Sequence, residues 1–265
     1  TYRDGIERAE PKAFDSAGEI AVASTALGRP LVGYAVNGSL VATTNRTWTL
    51  RLADYPGVDS FTVTAVYGTN FWADATNGQE SNSGLYETEP KRCINSALDL
   101  TEPGDVVIAL PGRYESEAEA RLHADGAKVR SRVVVPRKRT VRSRDGAETT
   151  FIVGAAATSP KALGRLGADA VRGVFLNEDA AVEGFTITGG STDSPESGWA
   201  DLPNDDGRGG GVCGSSADTS VVRDCVIADN AAVRGGGVCR VTCRRCRIVG
   251  NVGTHLGTGA NLARL

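Results

Sequence analysis

The stretch "CVIADNAAVRGGGVCR" (225–240) runs directly into "VTCRRCRIVGNVGTHLGTGANL" (241–262), and both carry one pattern. From Cys225 and from Cys246 alike the chain reads Cys, any residue, Ile, two residues, Asn, and then a glycine-rich step. A looser copy, "VEGFTITGG" (182–190), precedes them. In alignment Val182, Val222 and Cys243 coincide, as do Phe185, Cys225 and Cys246, and then Ile187, Ile227 and Ile248. The step Gly211-Val212-Cys213 returns as Gly237-Val238-Cys239. A repeat of ~20–30 residues carrying two or three short strands cannot bury its apolar face alone, and stacking one copy on the next solves this. The pattern therefore predicts a parallel β-solenoid in which each copy is one coil. Equivalent residues should stack about 4.8 Å apart. Phe185, Cys225 and Cys246 then form one inward column and the isoleucines another.

The other apolar runs fit this scheme. "RVVVP", "TVRS", "TTFIVG", "VRGVFL", "AVEGFTI", "VVRDCVI", "CRRCRI" and "TGANL" are all too short for helices, and most end on turn residues. Upstream, Pro90 followed by Ile94, Ala97 and Leu98 has the spacing of a short amphipathic helix, expected near 90–99 as an N-terminal cap. Pro103-Gly104-Asp105 then turns the chain into the buried strand "VVIAL", which Pro111-Gly112 ends. Residues 1–13 read as a linker. Residues 14–68 read as a small β-domain, with alternating strands on both sides of Asn37-Gly38, the dipeptide of a type I′ hairpin. Residues 69–265 read as the solenoid. "GTGANLARL" begins a further coil with Gly257-Thr258-Gly259-Ala260 in place of Gly235-Gly236-Gly237-Val238. The expectation is a C-terminally incomplete solenoid that self-associates through its open coil. The start at Thr1 and the lack of methionine are what a processed or excised segment shows.

Two resemblances follow from these residues. "PLVGYAVNGSLVATTNRTWTLRL" with "SFTVTAVYG" resembles the internalin B-repeat, a spacer module of surface and secreted proteins; that family usually has Trp where Tyr34 stands. "PGDVVIALPGRY", "RGVFLNEDAAVEGFTITGG" and the repeated "GGGVC" resemble the right-handed parallel β-helix proteins of the pectate-lyase-like superfamily, nearest their glycine-rich bacterial surface branch. The resemblance implies an all-β, right-handed parallel β-helix preceded by a small β-domain. It spans lyases, glycosidases, esterases and adhesins, so it implies no single activity.

Cys239, Cys243 and Cys246 spell C-x3-C-x2-C, but no paired histidine or second C-x2-C accompanies them at zinc spacing, and inward packing accounts for Cys225, Cys243 and Cys246. Stacked coils put Cys225 and Cys246 within bridging distance, so a disulfide there requires only that the side chains converge. Asn230 and Asn251 hold matching turn positions, where asparagine bonds to neighbouring backbone. "RSRVVVPRKRTVRSR" (130–144) contains seven basic residues and no acid, centred on Arg137, Lys138 and Arg139. It reads as a solvated outer face or as a groove that grips the carboxylates or sulfates of a polysaccharide. Two insertions interrupt the repeat, near 155–170 and 190–209. In the second, Trp199 lies among Asp201, Asp205 and Asp206. An exposed Trp stacks on sugar rings and such carboxylates take calcium or sugar hydroxyls, the alternative being an ordinary acidic loop.

No catalytic residue is assigned. Asp224 beside Arg245 reads as an interstrand ion pair, and His123 and His255 stand alone. No resident cofactor or metal is expected, calcium being the one cation the acidic loop suits. A net charge of −3 lacks the basic footprint of a nucleic-acid binder. No run of 18 apolar residues is present. The expected protein is a non-catalytic, secreted or cell-surface β-helix that binds a polysaccharide or cell-surface glycan in the manner of an adhesin. The alternative is a polysaccharide lyase or glycoside hydrolase whose active coils lie outside this segment.

Overall fold

The computed structural model describes residues 14–24, 28–122, 129–161, 163–194 and 206–265. The chain divides into two compact units, Thr1–Thr69 and Asn70–Leu265.

In the first unit, Leu31–Val36 pairs antiparallel with both Ser39–Ala42 and Val63–Tyr67. Asn37 and Gly38 both have positive φ (48° and 86°), as the type I′ turn demands, and Val36 faces Ser39 across it. Glu19–Ala23 pairs with Thr47–Arg51 in a second sheet. Tyr34 is fully buried, stacked on Trp48 at 5.5 Å, and its hydroxyl donates to the carbonyl of Arg46 at 2.6 Å. Burying a phenol requires such an acceptor.

The second unit is a right-handed parallel β-helix built on three parallel sheets, the hand that parallel crossovers take in about 98% of cases. The first sheet stacks Asn70–Ala73, Val106–Ala109, Thr140–Ser143, Ala181–Glu183, Val221–Arg223 and Thr242–Arg244. The second stacks Gly112–Tyr114, Thr150–Val153, Thr186–Thr188, Val226–Ala228 and Arg247–Val249. The third stacks Arg130–Val135, Val171–Leu176, Val212–Gly214, Val238–Cys239 and Ala260–Asn261. Ala231–Ala232 and Val252–Gly253 form a short fourth ladder.

The aligned columns are the observed register. Val182 faces Val222 and Val222 faces Cys243; Ile187 faces Ile227 and Ile227 faces Ile248. Val212 faces Val238, which faces Ala260. These side chains line one apolar core with Phe185 and Cys225. The turn from first to second sheet uses a single left-handed residue: Gly184 (φ 75°), Asp224 (52°) and Arg245 (52°). Away from glycine that conformation costs about 1–2 kcal/mol. It re-aims the chain so that the following residue, Phe185, Cys225 or Cys246, returns inward. Between the second and third sheets the coils approach so closely that a Cβ on Gly210 would lie 2.2 Å from the carbonyl oxygen of Ala231. Only glycine fits such a contact.

Three expectations need correction. The helix, Ile94–Leu98, does not precede the first buried strand: Asn70–Ala73 does, pairing with Val106–Ala109 and burying Phe71 and Ala73. Gly112 does not merely end a strand but opens the first strand of the second sheet. The repeat is shorter than 30 residues only near the C-terminus. Asn230 and its bonded successor Asn251 are 21 residues apart, whereas Gly190 and Asn230 are 40 apart because insertions enlarge the turn. The third sheet also buries apolar side chains on its outer face. Phe175, Cys213 and Cys239 form a separate buried cluster, because their valine neighbours Val174, Val212 and Val238 take the inward positions.

Among the described residues no helix is long and apolar enough to cross a membrane.

Candidate polyanion-binding surface

Arg137, Lys138 and Arg139 lie where the chain leaves the third sheet at Val135 and enters the first at Thr140. Lys138 has a positive φ of 60°, and its backbone bridges neighbouring coils: its N–H donates to Glu178 and its carbonyl accepts from Gly104. Its ammonium is exposed, with no partner among the described residues. Arg137 is exposed and pairs with Glu178 at 2.9 Å. Arg139 turns back onto the protein and donates to the carbonyls of Arg137 (2.7 Å) and Thr101 (2.9 Å). The rest of the basic run disperses. Arg142 reaches Glu183 at 3.4 Å, and Arg144 pairs with Asp145 at 2.7 Å and with Glu87. Arg132 is buried, with Nε donating to the Val153 carbonyl at 2.6 Å, so it belongs neither to a solvated face nor to a groove.

Of the acidic loop, Trp199, Asp201 and Asp205 lie outside the described residues. Asp206 is fully buried, its carboxylate accepting from the Val129 N–H at 3.1 Å. The insertion near 155–170 packs inward through Leu166, beside Ala231 and Val233. The Asp169 carboxylate accepts from the Thr158 hydroxyl and N–H, and this holds it below the usual carboxylate range. Asn230 and Asn251 form the expected buried turn ladder. Nδ2 of Asn230 donates to the carbonyls of Ile187 and Ala228 and to Oδ1 of Asn251.

A second basic feature had no counterpart in the sequence reading. On the outer face of the first sheet Arg142, Glu183, Arg223 and Arg244 stand in register on successive strands. Glu183 accepts from both Arg142 and Arg223. Arg244, one coil further, is exposed and meets no carboxylate among the described residues; neither does Arg247, exposed on the adjoining second sheet. At the corner between them Arg245 grips Asp224 through two bonds of 2.6 and 2.7 Å, as the sequence suggested. The Arg245 guanidinium holds the Asp224 carboxyl below its usual range, so the pair remains charged. Five guanidiniums thus share this edge with two carboxylates, in a chain whose net charge is negative. Part of the signal was present in the alignment: Glu183, Arg223 and Arg244 directly follow Val182, Val222 and Cys243. Such an edge can hold anionic groups by charge-assisted hydrogen bonds.

Among the described residues no cluster of three His, Cys, Asp or Glu side chains is arranged to hold a metal ion. All six cysteines are free thiols.

The class these features define is a parallel β-helix with a charged outer face. No family model matches the chain, and no curated protein matches it. Among solved structures it is similar to the GH136 lacto-N-biosidase of Eubacterium ramulus, at 17% identity and a TM-score of 0.38 over 67% of this chain and 30% of that one. It is also similar to the pectin methylesterase PemA of Erwinia chrysanthemi, at 13% identity and a TM-score of 0.39 over 74% of this chain and 54% of that one. The chain thus spans about a third to a half of the length of these solved proteins.

Proposed function

We propose that this chain is a non-catalytic, secreted or cell-surface β-helix of the glycine-rich surface branch, carried behind an internalin B-repeat-like spacer, and that it binds acidic glycans. The observation that carries the reading is the arginine file of the first sheet, which ends at Arg244, with Arg247 on the adjoining second sheet, both without a carboxylate partner among the described residues. Arg137 and Lys138 extend the basic surface along another corner of the coils, and Arg139 fixes the backbone that presents them. In this reading Trp199, Asp201 and Asp205 supply sugar contacts, and calcium is the cation their carboxylates suit. The outward acids Glu183 and Asp224 serve the surface as ion-pair partners, which supports binding over acid–base chemistry.

Retention on a sulfated-polysaccharide column tests the proposal. The protein should elute at a salt concentration that falls when Arg244 and Arg247 are replaced by alanine, with affinity at low salt reduced about tenfold. A triple alanine variant of Arg137, Lys138 and Arg139 should show a smaller decrease, because Arg137 is paired with Glu178 and Arg139 is turned onto the carbonyls of Arg137 and Thr101. Unchanged elution of both variants would remove the glycan reading.

A further inference from the structure

The outer face of the second sheet is apolar where that of the first is charged. Strand alternation turns Tyr114, Ile152, Ile187 and Ile227 inward and leaves their neighbours facing out. In register, one outward column reads Arg113, Phe151, Thr186, Val226 and Arg247. The column beside it reads Val153, Thr188, Ala228 and Val249. Phe151, Val153, Val226 and Ala228 are only partly buried, and Val249 is 43% exposed. On the third sheet, by contrast, the outward Phe175, Cys213 and Cys239 are fully covered. An apolar strip left open to water on a folded protein marks a surface that meets a ligand or partner.

Each end of the strip carries a cation. Arg247 is exposed and meets no carboxylate among the described residues. The Arg113 guanidinium lies over the Phe151 ring, 5.4 Å from its centroid, and pairs with Glu115 at 3.0 Å. Both members of that pair are about half exposed, so the pair is weak and Arg113 keeps donors for another anion. Four strand spacings, about 19 Å, separate the two arginines along the solenoid axis. Such a strip fits a ligand that is apolar along its length and anionic at intervals. A chain of sugar rings bearing carboxylates or sulfates has both properties, because each ring presents C–H groups to an aromatic surface. A bare polyanion has only the charge.

The geometry points to a glycan subsite on this face. The C–H face of a sugar ring stacks on the open part of Phe151, Arg113 and Arg247 hold anionic groups to either side, and the chain lies along the solenoid axis. The inference rests on the acidic-glycan reading above and deepens it, since it makes the ligand a chain of sugar rings rather than any polyanion.

The probes are a heparin hexasaccharide and inorganic polyphosphate of similar charge, each titrated against the folded chain. Phe151→Ala should weaken hexasaccharide binding about five- to tenfold, the loss of one aromatic contact, and leave polyphosphate binding within about twofold. That loss should persist as salt rises, because screening weakens ion pairs and not apolar contact. Arg113→Gln should weaken both probes and flatten their salt dependence. Phe151→Tyr should bind the hexasaccharide like the wild type. In the wild-type complex, nuclear Overhauser effects should connect the Phe151 ring protons with sugar C–H protons, a readout that needs no variant. Their absence at saturation, or an equal loss of both probes in Phe151→Ala, would overturn the subsite. If Phe151→Ala binds the hexasaccharide like the wild type while the Arg244 and Arg247 double variant is weakened, the subsite falls and the glycan reading stands. If the wild type does not bind the hexasaccharide, the two fall together.

Discussion

Replacing Phe185 with alanine should destabilise the β-helix unit by about 3–5 kcal/mol, the range for truncating a buried aromatic ring. The ring is fully buried, and the Phe185 N–H donates to Sγ of Cys225 in the next coil at 3.4 Å. Each coil is pinned by strand pairing on both sides, Ala181–Glu183 against Thr140–Ser143 and Val221–Arg223. The neighbouring coils therefore cannot close over the space, and the full cavity cost is felt. Urea unfolding should show a lower midpoint at unchanged m-value. Phe185→Leu should recover most of the loss. A cost under about 1 kcal/mol for the alanine variant would place the ring outside a packed interior.

Asn230→Ala should cost about 2–5 kcal/mol, through polar groups rather than volume. The Asn230 side chain is fully buried and serves three coils. It accepts from the Gly190 N–H at 2.8 Å and donates to the Ile187 carbonyl at 3.0 Å and to Oδ1 of Asn251 at 2.9 Å. Alanine leaves the Gly190 donor and the Ile187 acceptor without these partners in a buried turn, each worth about 1–3 kcal/mol. Amide exchange at Gly190 should accelerate far more than at Val182, whose strand pairing survives. If the Asn230 variant melts like the wild type, water fills the turn and the ladder is not structural.

The interior was legible in the sequence and much of the exterior was not. Interior columns repeat because each residue packs on its own equivalent. Val182, Val222 and Cys243 could therefore be matched without knowing what surrounds them. Asn70–Ala73 escaped notice because an alternation of two over four residues is a weak signal and the strand repeats no motif. The outward cluster of Phe175, Cys213 and Cys239 was missed for a different reason. Those residues alternate with the inward Val174, Val212 and Val238, but what covers an outer face is not written in the strand itself. For the candidate surface, the charge run at 137–139 was plain. That Arg139 would bond to the Thr101 carbonyl depends on a turn 38 residues away. The file of Arg142, Arg223 and Arg244 is contiguous only after coiling, because its members are separated by whole coils.

The central claim is that successive copies stack in one defined register, and paired cysteine substitutions on the outer face of the second sheet test it directly. Thr188 faces Ala228, and Ala228 faces Val249, on neighbouring parallel strands. Each pair is separated by one strand spacing, about 4.8 Å, inside the range a disulfide spans, whereas Thr188 and Val249 stand two spacings apart, beyond it. Mild oxidation followed by peptide mapping should find cross-links for Thr188→Cys with Ala228→Cys and for Ala228→Cys with Val249→Cys. Thr188→Cys with Val249→Cys should give none. Equal cross-linking of that last pair, or linkage only when the partner of Thr188→Cys is moved to Asp229, would contradict the stacked register.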